Sequence, residues 1–232
     1  MSKRWVKALE ATLILLWGAT LAHYYLSDKL QFYIYPAYNG LVLSSAIFLF
    51  GIGCLHLITF ADESGAEKLS WQSIFFLLPL TLALIISPSP LSAETALSRG
   101  ASANLSVTQS RPALFGLKPE DRSISDWIQL FNHDPEPSHY EGQKVSVEGL
   151  VVYDEKSMNG YFLIARFIIS CCAADARPIT LPVAITSDTP VPKGWVQLNG
   201  SIGEGTVDDQ RSIMIQMESF ESIPDPENPY AY

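Results

Sequence analysis

The pattern of apolar and polar positions changes near residue 90 and again near residue 120. Before that first change, three runs are apolar on every face, from about Ala8 to Leu26, Tyr38 to Phe60 and Trp71 to Ser87. Such runs suit lipid, and about 20 residues are needed to cross a hydrocarbon core of roughly 30 Å. The second run contains no charge and is long enough to span with some tilt. The third has 17 residues, the lower limit, and stops at Ser87-Pro88-Ser89-Pro90, which cannot continue a helix. A buried core helix is the competing reading of that run, and the lack of another apolar partner nearby argues against it. The pattern therefore predicts a transmembrane domain over residues 1–90 with three spans, at about 8–26, 38–60 and 71–87.

Residues 91–120 are rich in Ser, Ala and Pro and show no sustained period, the composition of a linker. Structure resumes at Ser123, where Asp126 three residues on suggests a capping box and Ile124, Trp127, Ile128 and Phe131 fall on one helical face. Asp134-Pro135 ends that short helix. Five strand-like segments follow: Lys144 to Asp154, Tyr161 to Ser170, Ile179 to Thr186, Gly194 to Ile202 and Arg211 to Phe220. The first places Val145, Val147, Val151 and Tyr153 on one face, and the second is apolar on both faces except for Arg166. Five short strands with one helix predict an all-β C-terminal domain over 121–232, an OB-like barrel whose closure hides the strand edges, with an open sandwich as the second choice. Pro182 implies an edge or a bulge in the third segment.

Charge sharpens this division. From Glu120 onward there are 18 Asp and Glu against 7 Lys and Arg, a balance of -11 that leaves +2 for the rest of the -9 chain. An acidic soluble domain repels phosphate backbones, so nucleic acid is an unsuitable partner. Lys3, Arg4 and Lys7 precede the first span, while the loops at 27–37 and 61–70 carry one lysine each. Positive charge stays inside, so the N-terminus is expected in the cytoplasm of a prokaryotic-type cell and, after three crossings, the C-terminal domain is expected outside the inner membrane. A signal peptide with a cleavage point near Ala22 competes for the first run, and it leaves the C-terminal domain on the same side. Trp5, Trp17, Tyr24, Tyr25, Tyr33, Tyr35, Tyr38 and Trp71 mostly fall near span ends, as interfacial anchors do.

Few residues carry chemistry. His23 and His56 fall near opposite ends of their helices, and Cys54 lies two positions before His56, about 200° around a helix, so none of these is expected to share a metal. The run from Arg166 to Pro178 is richer. Cys171 and Cys172 adjoin Asp175 at a strand end, and two thiolates with a carboxylate suit a divalent or soft metal ion. A strained vicinal disulfide and a pair of packed or exposed thiols remain open beside that reading, and buried inert cysteine competes with all of them. Arg166 shares a face with Cys172 if the strand persists, and its guanidinium favours a thiolate. His133, Asp134, Glu136 and His139 cluster at the helix exit, where Pro135 and Pro137 already explain a solvated turn. No phosphate loop, nucleophile elbow or zinc-ligand helix occurs, so an enzyme is not expected.

The stretches Pro90 to Gly100, Glu141 to Gly149, Arg166 to Pro178 and Asn228 to Tyr232 resemble the YcgQ-type family of uncharacterised bacterial membrane proteins. Cys171-Cys172-Ala173-Ala174-Asp175-Ala176 is the most specific part. The resemblance implies an extracytoplasmic β-domain and a partner, a multi-span permease of YcgR type. Some relatives have a His-rich loop between the second and third spans, whereas Ala61 to Ser70 here has no histidine; Cys172 and Asp175 match the family motif. Two functions are therefore expected to compete. One is a membrane-anchored accessory subunit of a two-component permease, whose outer domain captures or gates a solute through Arg166, Cys171, Cys172 and Asp175. The other is a stand-alone thiol- or metal-binding protein with the bilayer as its anchor.

Overall fold

Of the apolar runs, the first two form the long helices expected of them. The computed structural model describes residues 3–59, 71–86, 88–102, 117–153, 160–185, 191–207 and 210–231. The loop at 61–70, residues 103–116 of the linker and the outer ends of several expected segments, including Asp154 and Thr186, lie outside these residues. The chain divides into two units, one over residues 1–89 with Cys171–Ala173 and one over 90–170 with 174–232.

In the first unit α1 covers Lys3–Leu26 and α2 covers Asn39–Thr59. Both are long and apolar enough to cross a membrane. Small residues let them approach, which matters in lipid because packing replaces the hydrophobic drive between helices. A Cβ added to Gly18 would sit 3.2 Å from the Ala46 carbonyl oxygen, and one on Gly53 would meet the Leu15 side chain at 2.7 Å. Near the start of α1, Glu10 Oε2 lies 3.6 Å from Lys7 Nζ and 3.7 Å from His56 Nε2. His23 is 13 residues further along α1, about 20 Å at 1.5 Å per residue, so the two histidines do not share a site.

The third run behaves differently. Helix α3, Trp71–Ile85, has 15 residues and contains Pro79, a length of about 22 Å against a core of roughly 30 Å. Only two helices among the described residues therefore have the length of a span, not the three expected. Trp17 Nε1 donates to the Phe76 carbonyl at 3.1 Å and the Tyr24 hydroxyl to the Ala83 carbonyl at 2.9 Å. These donors and acceptors are each seven residues apart, two turns along their helices. Ala83 is among the last four residues of α3, whose carbonyls lack helical donors, so Tyr24 of α1 supplies a donor at the helix end. Trp17 and Tyr24 are thus ties from α1 to α3.

The second unit begins with α4, Ala93–Ser98, capped by the Ser92 side chain, which accepts from Thr95 N–H at 3.2 Å. Arg99 Nη1 donates to the Ala176 carbonyl at 2.9 Å and Thr180 Oγ1 bonds to the Ser102 carbonyl, so the start of the expected linker is folded against the domain. Helix α5 spans Ile124–His133 and has the capping box read from the sequence, with Ser123 Oγ accepting from Asp126 N–H at 3.2 Å and Asp126 Oδ2 from Ser123 N–H at 2.9 Å.

The strands are β1 Lys144–Val152, β2 Tyr161–Ile168, β3 Arg177–Ala184, β4 Trp195–Val207, β5 Gln210–Ser222 and the two-residue β6 Tyr230–Ala231. The first five close into a barrel, β1-β2-β3-β5-β4 and back to β1. Every pairing in that ring is antiparallel except β3 with β5, which is parallel and confined to Val183↔Ile215 and Ala184↔Gln216. That closure begins just past Pro182, whose missing N–H costs no bond to β5 there. Strand β4 runs five residues beyond Ile202, through Gly203-Glu204-Gly205-Thr206-Val207, where alternate glycines leave no apolar alternation to read. Inward residues of all five strands, among them Val147, Ile164, Leu181, Leu198 and Ile215, form one core with Trp127, Ile128 and Phe131 of α5. The helix thus plugs the barrel.

Candidate functional site

Strand β2 ends at Ile168, so the alternation that would put Arg166 and Cys172 on one face does not continue to the cysteines. The peptide carries Cys171 and Cys172 into the first unit, where Cys172 forms an isolated antiparallel bridge with Ile34. Tyr35 N–H donates to the Cys171 carbonyl at 3.0 Å and Ala173 N–H to the Tyr33 carbonyl at 2.7 Å. Held by its backbone, the pair presents Cys171 exposed and Cys172 half-buried, with the Sγ atoms 3.6 Å apart. A disulfide needs about 2.05 Å, so these are two thiols. Two sulfurs on one tetrahedral metal with bonds of about 2.3 Å stand roughly 3.7 Å apart, close to the separation here.

Asp175 belongs to the second unit, at the end of a 3-10 turn over Ala173–Asp175, and its Oδ1 accepts from Ser170 N–H at 3.1 Å. Among the described residues no group of three or more His, Cys, Asp or Glu side chains is placed to hold a metal ion. The donor set assembled is therefore the two sulfurs.

Arg166 is held elsewhere, in a seam of the barrel. Strands β1 and β2 pair only over Leu150↔Ala165 to Val152↔Leu163 and then part, β1 continuing along β4 and β2 meeting β6 at Phe167↔Tyr230. The guanidinium fills the parting. Its Nε donates to the Glu148 carbonyl at 3.2 Å, Nη2 to Glu148 Oε1 at 3.1 Å and Nη1 to the Asn228 carbonyl at 2.8 Å. Its Cζ stands 5.2 Å from the centre of the Trp195 ring. Burial pushes the Arg166 pKa down and the Glu148 carboxylate opposes it; starting from so high a value, the group stays charged. A polar cleft of about 360 Å³ opens over this seam, lined among others by Arg122, Ser123, Ser146, Glu148, Arg166 and Gln197. On its floor Gln197 Nε2 donates to Ser146 Oγ at 3.0 Å, and Ser146 Oγ donates to Asn199 Oδ1 at 2.7 Å.

A family model, the DUF1980 C-terminal domain, matches residues 117–232, half of the chain. The chain belongs to the DUF1980 family. No curated protein and no solved structure matches it. The match begins just ahead of the DUF1980 helix α5 and takes in the barrel, the cleft and the cysteine loop.

Within the DUF1980 domain, Glu148, Ser146, Gln197 and Asn228 are cleft or seam residues that sequence reasoning did not single out. Only the register of β1 on β4 and the return of the C-terminal strand beside β2 bring them to Arg166. The one legible signal was Arg166 itself, a lone charge in an apolar strand. The imidazole cluster is a solvated turn: Asp134 Oδ2 meets His139 Nδ1 at 2.6 Å and Asp134 Oδ1 accepts from Glu136 N–H at 3.3 Å, both on the exposed surface. The hydrogen bond from His139 holds the Asp134 carboxyl below its ordinary value.

Proposed function

We propose that this DUF1980 chain is a membrane-anchored accessory subunit of a two-component permease complex, and that its barrel captures or gates a solute. The cleft at the parting of β1 and β2 carries the reading: a polar concavity of about 360 Å³ with the Arg166 guanidinium in its wall offers charged and hydrogen-bonding groups to a small solute. The strand order β1-β2-β3-β5-β4, with β3 and β5 parallel, supports the OB-like assignment. In this proposal α3 is a third crossing, short but tied to α1, and the protein is a multi-pass inner-membrane protein with a cytoplasmic N-terminus and an extracytoplasmic barrel. Its YcgQ-type resemblance makes the partner a YcgR-type permease. Mild-detergent purification of the full chain at native expression, with crosslinking, should recover a multi-span protein. Recovery of the bait alone would refute the subunit reading.

The sulfur spacing favours a second reading, a thiol- or metal-binding role for Cys171 and Cys172 with Asp175 nearby in sequence. Two thiols match half of a tetrahedral set, so further ligands would come from a partner or water. Replacing both cysteines with alanine should then remove bound metal while the chain stays folded. Unchanged metal content and unchanged transport in that variant would exclude the pair from function.

A further inference from the structure

The geometry points to a site for one anionic phospholipid between α1 and α3. A pocket of about 370 Å³ lies there, well separated in sequence from the barrel cleft. On α1 it is lined by Leu16, Ala19, Thr20 and His23, which are spaced i, i+3, i+4 and i+7 and so form one face about 10 Å long. Leu80 and Ala83 of α3 also line it, as does Lys29, three residues past the end of α1.

The polar groups sort by availability. Thr20 Oγ1 donates to the Leu16 carbonyl at 2.8 Å and Tyr24 donates to the Ala83 carbonyl, so both hydroxyl hydrogens are used within the helices. Lys29 and His23 remain as donors, and among the described residues no Asp or Glu lines the pocket; Asp28, next to Lys29 in sequence, is not among its lining residues. The result is an apolar trough ending in positive charge. A helix of another protein, at least about 10 Å across with its side chains, does not fit such a volume. Free phosphate would leave the apolar walls unused. An acyl chain along Leu16, Ala19, Leu80 and Ala83, with its phosphate on Lys29, satisfies both ends, as basic pockets between membrane helices do for acidic head groups.

The test uses the full chain in detergent with added phosphatidylglycerol, phosphatidylcholine of the same acyl chains, or inorganic phosphate. Native mass spectrometry should show phosphatidylglycerol retained and phosphatidylcholine lost, and only phosphatidylglycerol should raise the unfolding temperature. Lys29→Gln should weaken its retention about fivefold and Lys29→Arg should restore it. Ala19→Trp, which fills the trough, should abolish retention. Equal retention of the two lipids by the wild-type chain would overturn the proposal without recourse to any variant. So would full competition by inorganic phosphate, or lipid binding that survives Ala19→Trp.

Discussion

Arg166 shows how one side chain can substitute for strand pairing. Where β1 leaves β2, the Glu148 carbonyl loses a neighbouring strand and the guanidinium supplies the donor, while a second arm ties the returning C-terminal segment at Asn228. Hydrogen bonds to a charged group are worth roughly 1.5–3 kcal/mol each in stability, less than their sum when they share one side chain. Arg166→Ala should therefore destabilise the barrel by about 2 kcal/mol in urea unfolding, and Arg166→Lys should recover only part of it, because an ammonium lacks the planar fork. Full recovery by lysine would mean that charge, not geometry, holds the seam. Gly200 acts through space. At the bulge between Asn199 and Gly200 an added Cβ would lie 2.2 Å from the Gln216 carbonyl oxygen, a backbone atom that cannot rotate away. Gly200→Ala should cost about 1–3 kcal/mol, as overpacking does, and a neutral result would show that the bulge can relax.

At the scale of elements, α5 depends on both its cap and its buried face. Ser123→Ala removes the acceptor for Asp126 N–H and should cost about 1 kcal/mol, whereas Trp127→Ala empties the plug of the barrel and should cost about 3–5 kcal/mol. A cap mutation as damaging as the core mutation would contradict that ranking. Two exposed pairs each add a small stabilisation that acid removes. The His139 hydrogen bond holds Asp134 below its ordinary 3.8, and the Arg211 hydrogen bond holds Glu204, beside β5, below its ordinary 4.5. A depressed carboxyl stabilises the fold above its unfolded pKa and loses that contribution as pH falls through the folded pKa. Stability should thus be level with respect to these groups above about pH 4.5 and decline below it. Asp134→Asn with Glu204→Gln should flatten the decline in unfolding measured between about pH 5 and 2. An unchanged slope would assign acid sensitivity to other carboxylates.

For the whole molecule, the barrel has a core of its own, since α5 and the five strands bury their apolar faces in one cluster. A fragment from residue 117 to 232 should be soluble and monomeric, and its far-ultraviolet circular dichroism should be dominated by β-structure. Persistent aggregation would mean that the domain relies on the membrane helices to fold. In contrast, α1 to α3 leave large apolar side chains such as Leu41, Phe48, Ile58, Phe75 and Leu78 exposed, a face suited to lipid or to another apolar surface.

Periodicity alone determined the division into apolar helices and an alternating β-rich part, the capped helix at Ser123 and the five strands, because those features depend on local spacing of side chains. It misjudged lengths where the local signal was weak: the glycines of β4 hid five residues of strand, and apolar composition over 71–87 concealed that the helix stops at Ile85, too short for a typical span. Long-range register decided the rest. No local pattern tells that Glu148 and Asn228 meet at Arg166, 18 and 62 residues away, or that the backbone of Cys171 pairs with Tyr35. Closure of the barrel brings the first contacts together by fixing which strand lies beside which. Strand ends then determine where a side chain leaves the alternating pattern, and that is why β2, ending at Ile168, sends Arg166 and the cysteines to separate places.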